Sequence, residues 1–132
     1  MLFRSATNAN GQFIIADNLG ESVKVFDSSG KFVLQFHPER NDTETGLQVF
    51  DVATDVNNSN IYLLVGSRYG AKREVRVFSR TADLLHKFPV RGGGWDRLAV
   101  TNNKVLILTV EAVHVYEHEG RFSIVSSVKT LM

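Results

Sequence analysis

Apolar and polar residues alternate along this chain in short runs, and one run recurs three times. Val23-Lys24-Val25-Phe26, Val75-Arg76-Val77-Phe78 and Val113-His114-Val115-Tyr116 each read valine, basic residue, valine, aromatic. Four turn-like residues, one charged residue and then an apolar one (Phe32, Leu84, Phe122) follow each run. A period of two predicts a strand with one buried face. Upstream of each run lies a more continuous apolar segment: Phe13-Ile14-Ile15-Ala16, Ile61-Tyr62-Leu63-Leu64-Val65 and Val105-Leu106-Ile107-Leu108. Such runs predict strands covered on both faces. A third match precedes these, with Ala6, Ala53 and Ala99 at one position.

The connectors carry turn chemistry. Asn8-Ala9-Asn10-Gly11, Asn57-Asn58-Ser59-Asn60 and Asn102-Asn103-Lys104 hold residues that tolerate positive φ, and Asp27-Ser28-Ser29-Gly30 and Glu117-His118-Glu119-Gly120 do the same further on. Each unit therefore reads as four antiparallel strands, A to D. In the second unit these run approximately over 47–56, 60–65, 74–78 and 83–88. No helical period exceeds two turns. The predicted fold is all-β, one segment over 1–132 of three four-stranded propeller blades, approximately 1–46, 47–94 and 95–132. Propellers close with about 4 to 8 blades, so three make a partial or half propeller. Either the remainder of a longer chain supplies the other blades, or a homodimer completes a six-bladed ring.

Composition narrows the chemistry. The 132 residues suffice for one modest core. Fifteen Lys and Arg against fourteen Asp and Glu leave a net charge of +1, so no global field draws nucleic acid or a membrane. No apolar run approaches the roughly 20 residues of a membrane span, and Met1-Leu2-Phe3-Arg4 opens no signal peptide. With no cysteine, the chain offers no disulfide, thiolate metal ligand or Cys nucleophile, which fits a cytoplasmic address.

The first repeat resembles an NHL repeat. Asn10-Gly11-Gln12-Phe13-Ile14-Ile15-Ala16-Asp17, followed by Val23-Lys24-Val25-Phe26-Asp27-Ser28-Ser29-Gly30-Lys31-Phe32, is similar to that family's Gly-x-Ile-x-Val-Ala-Asp, loop, Arg-Val-x-Val-Phe-Asp, Gly-x-Phe pattern. The likeness extends over three repeats and weakens towards the third. The family's Asp after strand B survives as Asp17, with Gly66 and Thr109 in the other repeats, and Ser22, Glu74 and Ala112 replace the Arg that opens strand C. The resemblance implies a tripartite-motif-like propeller that recruits protein substrates, or RNA, for a ubiquitin ligase whose RING lies outside this sequence. Some NHL-like propellers are metal-dependent lyases or hydrolases with ligands around a central channel, a remote alternative here.

Catalytic chemistry finds little support. His114 and His118 are four apart, which in a strand separates them by about 13 Å, at about 3.3 Å per residue. One zinc ion needs its ligands within about 2.1 Å. His37 and His86 read as structural or solvated, and Asp51, Asp55 and Asp96 as solvated or capping positions. No catalytic residue, metal ligand or cofactor is expected. The column Lys24, Arg76, His114 reads as solvent-facing, and the column Phe26, Phe78, Tyr116, with Phe32, Leu84 and Phe122, as core between blades.

In an up-and-down blade, B–C loops and D-to-A connections share one end. There the lengthened B–C loop of the second repeat and its exit place Arg68, Tyr69, Lys72, Arg73, Arg91 and Trp95. Arginine and tryptophan exposed together suit a protein-binding face, and cations with aromatics also suit single-stranded RNA. Seven acids at the same end (Glu21, Glu39, Asp42, Glu44, Glu74, Asp96 and Glu111) favour protein as the expected partner. Trp95 also fits a plug between blades.

Overall fold

The computed structural model describes residues 3–17, 22–38, 47–67, 72–92 and 96–127. Twelve strands form three sheets. The first holds β1 (Phe3–Thr7), β2 (Phe13–Asp17), β3 (Ser22–Phe26) and β4 (Phe32–Phe36). The second holds β5 (Leu47–Thr54), β6 (Ile61–Ser67), β7 (Arg73–Phe78) and β8 (Leu84–Val90). The third holds β9 (Arg97–Thr101), β10 (Lys104–Leu108), β11 (Ala112–Glu117) and β12 (Phe122–Ser127). Within each sheet the strands lie side by side in chain order and pair antiparallel. These sheets are blades 1 to 3 of an all-β, propeller-type arrangement, and among the described residues there is no helix long and apolar enough to cross a membrane.

The turns explain why the unit repeats. In all three C–D turns the first residue donates its N–H to the carbonyl four residues on: Asp27 to Lys31, Ser79 to Asp83 and Glu117 to Arg121, each at 2.8 Å. The fourth residue of each turn has positive φ, at Gly30, Ala82 and Gly120. Asp27 Oδ1 and Ser79 Oγ accept backbone N–H groups inside their turns, bonds that favour the turn over a continued strand. The Asp27 carboxyl is held below its ordinary range by the Ser29 hydroxyl and these N–H groups. Asn102 and Asn103 both adopt positive φ in the two-residue β9–β10 hairpin, the geometry such a loop requires.

Each blade has a leading face, turned towards the next blade, and a trailing face. Ile14, Ala16, Val23 and Val25 on the leading face of blade 1 pack with Val49, Val52, Ile61, Leu63, Val65 and Phe78 of blade 2. On its other side, Phe50, Ala53, Tyr62, Leu64, Val75, Val77 and Phe88 pack with Leu98, Val105, Ile107 and Tyr116 of blade 3. Blade 2 is therefore covered on both faces, and every β6 residue from Ile61 to Gly66 is buried. Each fully buried aliphatic side chain contributes about 1.5–3 kcal/mol.

A bulge in β5 between Val49 and Asp51 splits neighbouring residues between the two seams. Val49 and Val52 face blade 1, Phe50 and Ala53 face blade 3, and Asp51 crosses the second seam to the Leu98 N–H.

Several sequence expectations need correction. The column Lys24, Arg76, His114 is solvent-facing only in part, since Lys24 and His114 are half-buried and Arg76 is buried. It lies on the trailing face, and Arg76 is buried where blades 1 and 2 meet, donating from Nη1 to the Pro38 carbonyl at 2.6 Å and from Nε to Glu74 at 2.6 Å. Asp51, Asp55 and Asp96 are buried, not solvated. Asp55 does cap a turn, accepting the Asn57 N–H at 2.7 Å. Of the aromatic column, Phe78 and Tyr116 fill seams, whereas Phe32, Leu84 and Phe122 remain exposed. Phe32 and Phe122 pack edge-on against Phe26 and Tyr116 of their own blades. The pairing also sets Val65 opposite Glu74 where blade 1 sets Asp17 opposite Ser22, so Val65 rather than Gly66 stands at the position of Asp17.

Candidate functional site

At the end of the sheets where Lys72, Gly92 and Thr109 lie, the seam of blades 2 and 3 opens into a groove. Its first part has a volume of about 570 Å³ and is lined by Lys72, Val90, Arg91, Gly92, Thr109, Val110, Glu111 and His114. A second hollow of about 490 Å³ shares Val90 and Arg91 and continues past Pro89, Tyr116 and Phe122.

Short-range bonds set the walls. Arg91 donates its backbone N–H to the Tyr116 hydroxyl at 2.8 Å, which ties the exit of β8 to β11 and leaves the guanidinium exposed. The opposite wall is the tight loop 109–112, in which the Thr109 hydroxyl accepts the N–H groups of Glu111 and Ala112 at 3.3 and 3.1 Å. That bonding turns Val110 out to solvent, where it is 93% exposed. At the floor, His114 has a buried Nδ1 with no hydrogen-bond partner among the described residues.

Below the groove, Arg73 is buried. Its guanidinium sits 3.9 Å from the Phe50 ring centroid, and its Nε lies 3.7 Å from Asp96 Oδ2. Burial pushes this guanidinium below its ordinary value, and the Asp96 charge opposes that shift. Gly92 permits the packing, because a Cβ there would meet Asp96 Oδ2 at 2.3 Å and Arg73 Cγ at 2.9 Å. Arg73 and Asp96 thus fasten the seam from inside.

Of the six residues nominated from sequence, Lys72 and Arg91 come together as exposed cations on the groove. Arg73 does not join them as a surface cation: β7 begins at Arg73 and turns it into the seam against Phe50. Arg68, Tyr69 and Trp95 lie outside the described residues. The sequence reading missed Thr109, Val110 and His114 as groove residues, since nothing in a single repeat shows that the third blade's B–C loop meets the second blade's exit. Among the described residues, no three His, Asp or Glu side chains lie close enough together to hold a metal ion.

No protein-family model matches the chain, and no curated protein matches it by sequence. Solved structures do match in shape. Hydrazine synthase of Kuenenia stuttgartiensis superposes with a TM-score of 0.70 at 11% identity, over 96% of this chain and 35% of that one. A eukaryotic initiation factor gives 0.63 at 11% identity over 94% and 31%, and Hsv2 of Kluyvelomyces marxianus 0.60 at 12% over 92% and 46%. These are propeller-type folds, so the likeness supports the propeller arrangement of the three sheets. The chain spans between about a third and a half of the length of each.

Proposed function

We propose that the chain is a non-catalytic interaction module that recruits a protein segment into the groove between blades 2 and 3. The carrying observation is the lining: two exposed cations, Lys72 and Arg91, flank a path bordered by Val90, Val110, Pro89 and Phe122. Such a path suits an extended peptide with an acidic residue near the cations and apolar side chains along the valines and the Phe122 ring. Hydrogen bonds at Arg91 and within the loop 109–112 hold parts of the walls, which lowers the ordering cost of binding. The NHL likeness of the first repeat supports a finer version, substrate recognition for a tripartite-motif-like ubiquitin ligase in the cytoplasm.

Single-stranded RNA is the competing ligand. With Arg73 under Phe50 and Glu111 on the rim, the described groove offers two phosphate contacts, which is thin for RNA. Selection of displayed 12-residue peptides on the purified protein tests the reading. Enriched peptides should pair Asp or Glu with apolar residues, and Lys72→Glu with Arg91→Glu should weaken them tenfold or more. Tight binding of oligouridylate with no peptide enriched assigns the groove to RNA and overturns the protein reading.

A further inference from the structure

Register, not sequence, shows which surfaces of this chain lack a neighbour. The leading-face row Ala6, Ile14, Val25, Leu34 of blade 1 corresponds to Ala53, Tyr62, Val77, His86 of blade 2, position for position along the pairing. The same register picks out Ala99, Leu106, Val115 and Ile124 in blade 3. In blades 1 and 2 this row is covered by the next blade. In blade 3 no described residue covers it, and beside it Leu108 stands where Ala16 and Leu64 are buried. Leu108 is 43% and Ile124 55% exposed.

The other end of the array shows the reverse. Ile61 and Phe78 on the trailing face of blade 2, and Val105 and Tyr116 on that of blade 3, pack into the preceding blade. Their counterparts in blade 1 are Phe13 and Phe26, and Phe13 is 42% exposed. Among the described residues, the leading face of blade 3 and the trailing face of blade 1 are thus uncovered, unlike each other and each matching a surface already used between blades.

We propose that two copies of this chain close into a six-bladed ring, with the leading face of blade 3 in each copy packed on the trailing face of blade 1 in the other. Both new seams repeat the kind of contact that joins blades 1 to 2 and 2 to 3, and both unlike faces are consumed, so growth stops at two copies. Six blades lie within the closed range of about 4 to 8.

Sedimentation velocity of the purified chain tests this. The expected species has twice the 14.7 kDa chain mass, about 29 kDa, with nothing larger. Leu108→Lys with Ile124→Lys, at positions already exposed in one copy, should give a folded 14.7 kDa monomer with an unchanged far-ultraviolet spectrum. Phe13→Lys should do the same from the opposite face. Mixing the two variants should restore a 29 kDa species, because one seam keeps both native faces. A wild-type monomer at about 100 μM, a ladder of larger open oligomers, or a dimer that survives both sets of changes overturns the proposal.

Discussion

Asp51 Oδ2 accepts the backbone N–H of Leu98 at 2.7 Å across 47 residues of chain, from the inner strand of blade 2 to that of blade 3. Its counterpart on the other side of β5 is Thr54, whose hydroxyl donates to the Thr7 carbonyl at 2.6 Å, again 47 residues away. One strand thus holds both neighbouring blades by polar bonds at the rim of two apolar seams. The two bonds differ in what their loss exposes.

Asp51→Ala leaves the Leu98 N–H without its buried acceptor, which costs about 1–3 kcal/mol. Thr54→Val removes a donor to a carbonyl that has a second lone pair, and should cost about 1 kcal/mol. Urea unfolding of both variants checks the order. Equal losses would show that the Asp51 bond does not clamp the seam.

Arg73 is a structural residue in this fold. Arg73→Ala strips the buried Asp96 of its neighbouring cation and uncovers Phe50, and should destabilise by about 3–5 kcal/mol. Lys72→Ala, one position away and exposed, should stay within about 0.5 kcal/mol. Matched thermal melts of the two variants decide this, and a mild Arg73→Ala would return that side chain to the binding face.

Ala82 occupies the positive-φ position that glycine fills in the other two C–D turns. Ala82→Gly should therefore stabilise the protein by about 1 kcal/mol, because the backbone strain there exceeds the entropy cost of glycine. Gly120→Ala should do the opposite and lose more than about 2 kcal/mol, since its Cβ would lie 2.5 Å from Phe88 Cγ as well as at φ 107°. Chemical denaturation of both reads the signs directly.

Tyr62 sets an alkaline limit. Burial, with the Asp55 charge adding to it, raises its phenol above the ordinary 10.0. The unfolded chain therefore releases this proton first, so the contribution is complete below pH 10 and is lost as pH climbs through the raised folded value. Urea midpoints at pH 8 and about pH 11 should fall for wild type and fall less for Tyr62→Phe. An identical fall would assign the loss to other groups.

Much of the fold was legible because its signals are local. The second repeat's predicted strands at 47–56, 60–65, 74–78 and 83–88 match β5 to β8 to within two residues at each end, and the Asn-rich and Gly-containing turns fall where positive φ is required. The failures lie where a blade meets its neighbour. Arg76 and Arg73 read as surface cations because alternation within one sheet shows which residues share a face, not whether another blade covers it. For the same reason Lys72 and Arg91 were found from loop position, while Val110 and His114 needed the third blade in place.

Amide NMR of the ¹⁵N-labelled protein, titrated with an enriched acidic and apolar 12-residue peptide, tests groove recruitment most directly. Saturable shifts should concentrate at Lys72, Arg91, Gly92, Val110 and Glu111 and vanish in the Lys72→Glu, Arg91→Glu protein. Shifts confined to the C–D turns at Ser29, Thr81 and Glu119, or unchanged binding by that variant, would contradict it.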